Sequence, residues 1–363
     1  MSIFERRPAL RWAAPLALLA VVGGTGVLAT TANADPTLPT KSPEQLLVDV
    51  ANAKVDGLSG TVVQTADLGL PSLPSSGSAS TQELTSLLSG THTLKVWTSG
   101  EDKARLEVLD NLAATDVIRN GSDVWTWSSE ANAATHRTLP AGDSTDKAPV
   151  SPDVPTTPQQ AAQQALAAVG DTTDVSVVDG QPVAGRTVYE LVLAPKDTRS
   201  TLESVRIAVD EKTSVPLEVE AIAKGGTTVF DVAYSSVDFG VPDSTQFDFT
   251  PPPGAKVTEG KVTAPKAPSA SDKKAAEKKA ADAKAATTTV GTGWTSVVVT
   301  KLPADATSSS QVTSVLNALP KVSGSWGSGH LFTGKAFSAV VTDDGRIAVG
   351  AVEASLLYDA LAK

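Results

Sequence analysis

His92, His136 and His330 are the chain's only imidazoles, and cysteine is absent. A zinc site draws three or four ligands from closely spaced His, Cys or carboxylate groups. These three histidines have neither that spacing nor a thiol to join them, so no metal is expected. A serine nucleophile raised on a GxSxG elbow would serve acyl transfer. Gly327-Ser328-Gly329-His330 resembles that pattern only superficially and is read as a flexible loop. Asp343-Asp344 is a carboxylate pair of the kind general acid-base work uses. Gly345 and Arg346 follow it, however, and Asp is favoured there by turn geometry alone. No Walker A or GxGxxG run offers a phosphate cradle. The expectation is a non-enzyme with no cofactor; an envelope hydrolase with an atypical site ranks last.

The apolar residues carry more information. Between 92 and 250 the chain reads as a meander of strands, reversing at Asn120-Gly121, Asp179-Gly180, Asp210-Glu211-Lys212 and Gly225-Gly226. Apolar and polar side chains alternate along it, which predicts an antiparallel sheet with one apolar face. Should the sheet curl, that face lines a hollow. Its candidate lining is Leu94, Val96, Leu106, Val108, Leu191, Leu193, Val205, Ile207, Leu217 and Val219. Burying one methylene contributes about 0.8 kcal/mol, so the acyl chain of a lipid or lipoprotein is the ligand expected for such a hollow. The competing reading makes the same ten residues an ordinary core packed against helices. Trp125 and Trp127 share a strand face as core or rim residues.

Helices must cover that face. Residues 43–56 place Leu46, Leu47, Val50 and Ala53 on one side, with Ser42 as N-cap and Pro43 in the first helical position. A second helix follows Thr157-Pro158, with a stripe of Ala161, Ala165, Leu166 and Val169 narrow enough to lie close on a curved sheet. Residues 69–91 read as a mobile flap, and 140–157 as a Pro/Asp/Ser loop. Residues 259–289 form a Pro/Ala/Lys-rich linker, largely helical over its Ala/Lys/Glu stretch and semi-rigid. Residues 290–363 form a compact module, with a strand in WTSVVVTKLP, a helix in SSSQVTSVLNALP, a hairpin turning at Asp344-Gly345 and a final helix in EASLLYDALA.

The first 34 residues look like a secretory leader. Arg6, Arg7 and Arg11 precede an apolar run over 13–29, and Ala32-Asn33-Ala34 is a small-x-small cleavage site. That run is short and holds three glycines, so cleavage is the first reading and an uncleaved N-terminal membrane anchor the second. Either places the rest of the chain outside the cytoplasm. An exported chain without cysteine has no disulfides and depends on burial for stability. The net charge of −10 makes nucleic acid an unexpected partner.

Two segments carry a resemblance. Asn120-Gly-Ser-Asp-Val-Trp-Thr-Trp, with its polar run to Thr138-Leu139-Pro140, is similar to a hairpin of the LolA-type lipoprotein carriers and their two-domain RseB/MucB-type relatives. Phe247-Asp-Phe-Thr-Pro-Pro-Pro-Gly-Ala-Lys-Val257 resembles that family's closing strand. The resemblance spans about residues 43–257. It implies an α+β fold: a curved antiparallel sheet forming an incomplete β-barrel with a helical lid, plus here a small C-terminal α+β module. It also implies an apolar cavity for acyl chains and, for the RseB-type relatives, a regulator that senses lipid and binds a membrane-anchored anti-sigma partner. The carriers' Arg-Pro step has no counterpart in TSGEDKARLEV; Lys103 and Arg105 stand nearby without matching it. The domains expected are a leader over 1–34, a half-barrel over 35–258, the linker over 259–289 and the module over 290–363. The Ala/Val/Gly/Asp-rich composition suggests a high-GC actinobacterium as the source.

Overall fold

The computed structural model describes residues 38–69, 89–109, 114–139, 156–260, 287–302 and 310–363. The expected leader and nearly all of the expected flap, Pro/Asp/Ser loop and helical linker lie outside the described residues. The boundary at 34/35 lies there too, whereas those at 258/259 and 289/290 fall on described residues, within strands.

Among the described residues, twelve strands form one sheet. The first meander runs through β1 (Gly57–Asp67), β2 (Ser89–Ser99), β3 (Lys103–Leu109), β4 (Ala114–Asn120), β5 (Asp123–Ser128) and β6 (Ala133–Thr138). The second runs through β7 (Thr173–Asp179), β8 (Val188–Pro195), β9 (Leu202–Asp210), β10 (Pro216–Ala223) and β11 (Thr227–Asp238). The two join where β1 pairs antiparallel with β11, Val62 facing Tyr234, beside a register shift at Thr61/Val62. β12 (Lys256–Gly260) closes the row by pairing parallel with β6. The order β12-β6-β5-β4-β3-β2-β1-β11-β10-β9-β8-β7 leaves β12 and β7 as separate edges, so the curved sheet is an incomplete barrel.

Local chemistry explains the turns and helix ends. Asn120-Gly121 makes the tight β4–β5 turn, with Gly121 at φ +62° and Asn120 paired to Asp123. α1 (Pro43–Asn52) begins at a capping box in which Ser42 accepts from the Gln45 amide and the Gln45 side chain accepts from the Ser42 amide. α2 (Pro158–Ala167) is capped by Thr157 and buries Pro158, Ala161, Ala162 and Ala165. Those alanines let the helix lie close on β10 and β11, while α1 meets β7. Beneath them Leu191, Leu193, Val205, Ile207, Leu217, Val219, Phe230 and Val232 are fully buried.

The opposite, outer face of the first meander is covered differently. A 3-10 turn (Ser244–Phe247) buries Phe247 against β3 and β4, and Phe249 then packs near Trp125 and Trp127. The sequence led us to expect a closing strand over 247–257. Regular strand begins only at Lys256, because Pro251, Pro252 and Pro253 have no amide hydrogen to give a ladder.

The remaining strands are β13 (Thr287–Val290), β14 (Val297–Lys301), β15 (Lys321–Gly324), β16 (Gly327–Thr333), β17 (Ser338–Thr342) and β18 (Arg346–Gly350). They form a second sheet in the order β13-β14-β18-β17-β16-β15. α3 (Ser310–Ala318) precedes β15, and α4 (Ala354–Leu361) covers β14, β17 and β18 with Leu357, Ala360 and Leu361. One expectation is overturned here: Gly327-Ser328-Gly329-His330 opens β16 rather than forming a loop. Its glycine content misleads because Gly329 faces the Val341 carbonyl so closely that a Cβ would collide with it. Asp343-Asp344 is a turn as expected; Arg346 pairs with Asp344 at 2.9 Å and Ser328 donates to Asp343.

The second sheet is fastened to the first. Trp294 Nε1 donates to Thr173 Oγ1 at 2.9 Å on the β7 edge, Thr201 Oγ1 donates to the Ala336 carbonyl at 2.6 Å, and Ser200 bridges Val352. Lys335 pairs with Asp67, and its amide donates to the Leu68 carbonyl at 3.1 Å.

Candidate functional site

A cavity of about 320 Å³ opens between the two helices and the inner face of the first meander. That is within the range of about 300–1,000 Å³ usual for small-molecule sites. Val50, Ala53 and Val55 wall it from α1 and the loop after it. Ala162 and the polar end of α2, including Gln159, Gln160 and Gln163, form its roof, and Val215, Pro216 and Tyr234 its far side. The floor comes from Leu58 on β1, Val96 and Thr98 on β2, Ala104 and Leu106 on β3, and Val117 and Arg119 on β4. Strand register explains this selection: Leu58 faces Thr98, Thr98 faces Ala104, and Ala104 faces Arg119 across successive strands.

The polar groups around the cavity are mostly engaged. Tyr234 donates to Gln159 Oε1 at 3.1 Å, and burial pushes its phenol up to about 12 despite that bond, so it stays a neutral donor. Gln160 Oε1 accepts from the Thr156 amide and hydroxyl at 2.9 and 3.0 Å. Arg105 turns to the outer face, where Nε donates to Asp116 at 2.9 Å and the guanidinium lies over Trp97. Arg119 Nε donates to the Gly121 carbonyl at 3.1 Å. The hollow is mainly apolar, with a few polar groups at its edge. No cluster of three His, Cys or carboxylate groups able to hold a metal occurs among the described residues.

The ten residues singled out from sequence divide sharply. Val96 and Leu106 line the cavity. Leu94, Leu191, Leu193, Val205, Ile207, Leu217 and Val219 lie in the packed core, and Val108 is half-buried against it. Residues that sequence reasoning left out include Val117 and Arg119, although both flank the Asn120-Gly121 turn and alternate in step with Leu106. Val50 and Ala53 were legible as one helical face, but not what that face would meet. Trp125 and Trp127 take no part: Trp125 stacks on His136 at 4.3 Å on the outer face. His136 bridges Asp123 and Glu259 at 2.8 and 2.9 Å; partial burial opposes its charged form, but these two bonds outweigh it and raise its pKa.

No family model and no curated protein matches the chain. Solved structures do. The MucA/MucB complex of Pseudomonas aeruginosa is 14% identical, with 88% of this chain and 96% of that one covered, at a TM-score of 0.41. A LolA-superfamily protein from Nitrosomonas europaea is 11% identical over 58% of this chain and 99% of its own, at a TM-score of 0.24. An outer-membrane lipoprotein-sorting protein domain from Vibrio parahaemolyticus is 10% identical over 57% and 96%, also at 0.24. MucB and a LolA-superfamily protein are thus among the solved structures to which this chain is similar.

Proposed function

We propose that the protein is a non-enzymatic, extracytoplasmic lipid- or lipoprotein-binding protein of carrier type, which holds an acyl chain in the cavity beneath α1 and α2. One observation carries this reading: the hollow has an aliphatic floor made of Leu58, Val96, Leu106 and Val117 and is large enough for a small ligand. Each methylene buried there contributes about 0.8 kcal/mol, so a few already give useful affinity. The basic leader with its apolar run supports export. No helix among the described residues is long and apolar enough to cross a membrane; the run over 13–29, the tether in the second reading of the leader, lies outside them.

The test is native mass spectrometry of the chain purified from a bacterial envelope. We expect a bound lipid that organic solvent strips away. A chain that carries no lipid, and takes up none from vesicles, would contradict the proposal.

A regulator that senses lipid and binds a membrane-anchored protein is the second reading. The fastening of the second sheet favours it, since Trp294, Thr201 and Ser200 join that sheet to β7 and the start of β9. An attachment through these bonds can pass a change in the barrel to a surface a partner reads. Co-purification of a membrane protein whose binding changes with lipid loading would support it.

A further inference from the structure

Charge is sorted by face in the first meander. Register places Arg119 opposite Val124, and Val124 opposite Arg137, so both arginines stand on the face that carries Val96, Leu106 and Val117. All four carboxylates within β1–β6, Asp67, Glu107, Asp116 and Asp123, fall in the alternate register, on the outer face. There Arg105 pairs with Asp116 and Lys95 with Glu107. The inner face of these six strands therefore carries two arginines and no acid, in a chain whose net charge is −10.

Arg119 is the one of the two that lines the cavity. Its Nε donates to the Gly121 carbonyl, and no carboxylate lies within ion-pairing distance of it among the described residues. Nor does any other lining residue, among the described residues, supply a negative charge. A half-buried guanidinium with no acid beside it is free to take the anionic head of a ligand in a charge-assisted hydrogen bond. Its planar fork matches the paired oxygens of a carboxylate or a phosphate. We infer that the ligand is an acidic amphiphile, with its carboxylate or phosphate head bound by Arg119 and its hydrocarbon chain laid over Leu106, Val117 and Val96. This rests on the cavity being the acyl site, and it separates acidic lipids from neutral glycerides and alcohols of equal chain length.

The test uses the full chain and displacement of a fluorescent acyl probe by palmitate, hexadecyl phosphate, hexadecanol and inorganic phosphate. Palmitate, hexadecyl phosphate or both should bind about tenfold or more tightly than hexadecanol, as a charged hydrogen-bonded pair implies. Arg119→Gln should abolish that preference, bringing palmitate and hexadecyl phosphate down to the affinity of hexadecanol measured on the same folded variant; Arg119→Lys should restore part of it. The ranking of palmitate against hexadecyl phosphate tells which head is preferred. Equal binding of acid and alcohol by the wild type would overturn the inference and leave the acyl reading standing. A preference that survives Arg119→Gln would also overturn it, as would inorganic phosphate displacing the probe as well as hexadecyl phosphate does. Failure of all the chain-bearing competitors, and of the probe, would sink the acyl reading itself.

Discussion

The same inner sheet face ends in two different ways. Over β8–β11 it is solid: Leu191, Ile207, Leu217 and Phe230 have no solvent exposure and lie in one continuous core. Over β2–β4 the same alternation leaves Leu106 and Val117 half-buried beside a hollow. The strands do not account for the difference, since both stretches alternate aliphatic and polar residues. The helices do. α2 lies close across β10 and β11 through Ala161 and Ala165, while Ala162 and its polar edge overhang the first meander. Alternation decides which face is apolar; the covering elements decide whether that face becomes core or cavity.

The strongest way to break this comparison is to truncate matched residues on either side. Leu217→Ala, in the solid half, should lower the unfolding free energy by about 2–5 kcal/mol. Leu106→Ala, at the hollow, should cost well under half as much, because its surroundings are already open, but should weaken acyl binding. Urea denaturation and probe titration check the pair. Equal stability losses would mean that the hollow is filled in solution.

The outer face sharpens the comparison through pH. Behind the solid half, burial together with neighbouring carboxylates pushes Glu218 up to about 8 and Asp231 up to about 7. Raised carboxyl pKa values mean that the folded state holds protons the unfolded chain gives up. The resulting stability is fully present below the ordinary values of 4.5 and 3.8, and is lost as pH rises through about 7 and 8. The urea midpoint should therefore fall from about pH 5 to about pH 8. His136, held by Asp123 and Glu259, contributes in the same direction. Glu218→Gln with Asp231→Asn should flatten most of that slope. A slope unchanged by the double substitution would place its origin elsewhere.

How much was legible follows from the same contrast. Short-range signals came through: Ser42 and Thr157 as caps, Asn120-Gly121 as a hairpin, and the alternation along β8–β11. Pairings between distant segments did not. Nothing local in Thr61 or Val62 announces β11 as their neighbour, and nothing in Lys256–Gly260 announces a parallel pairing with β6. Gly329 misled for a related reason, since its need for glycine comes from a strand distant in sequence. The candidate lining suffered most. Leu217 and Leu106 look alike in sequence, and what separates them is where α2 comes to rest.

Filling the hollow tests the account most directly. Ala104 lies on its floor, facing Arg119 across the β3–β4 pair, and Ala104→Phe would occupy the space an acyl chain needs. The account predicts that acyl-probe affinity falls about tenfold or more while urea denaturation shows a folded protein of near wild-type stability. Undiminished affinity in a folded Ala104→Phe protein would contradict it and move the binding site away from this face.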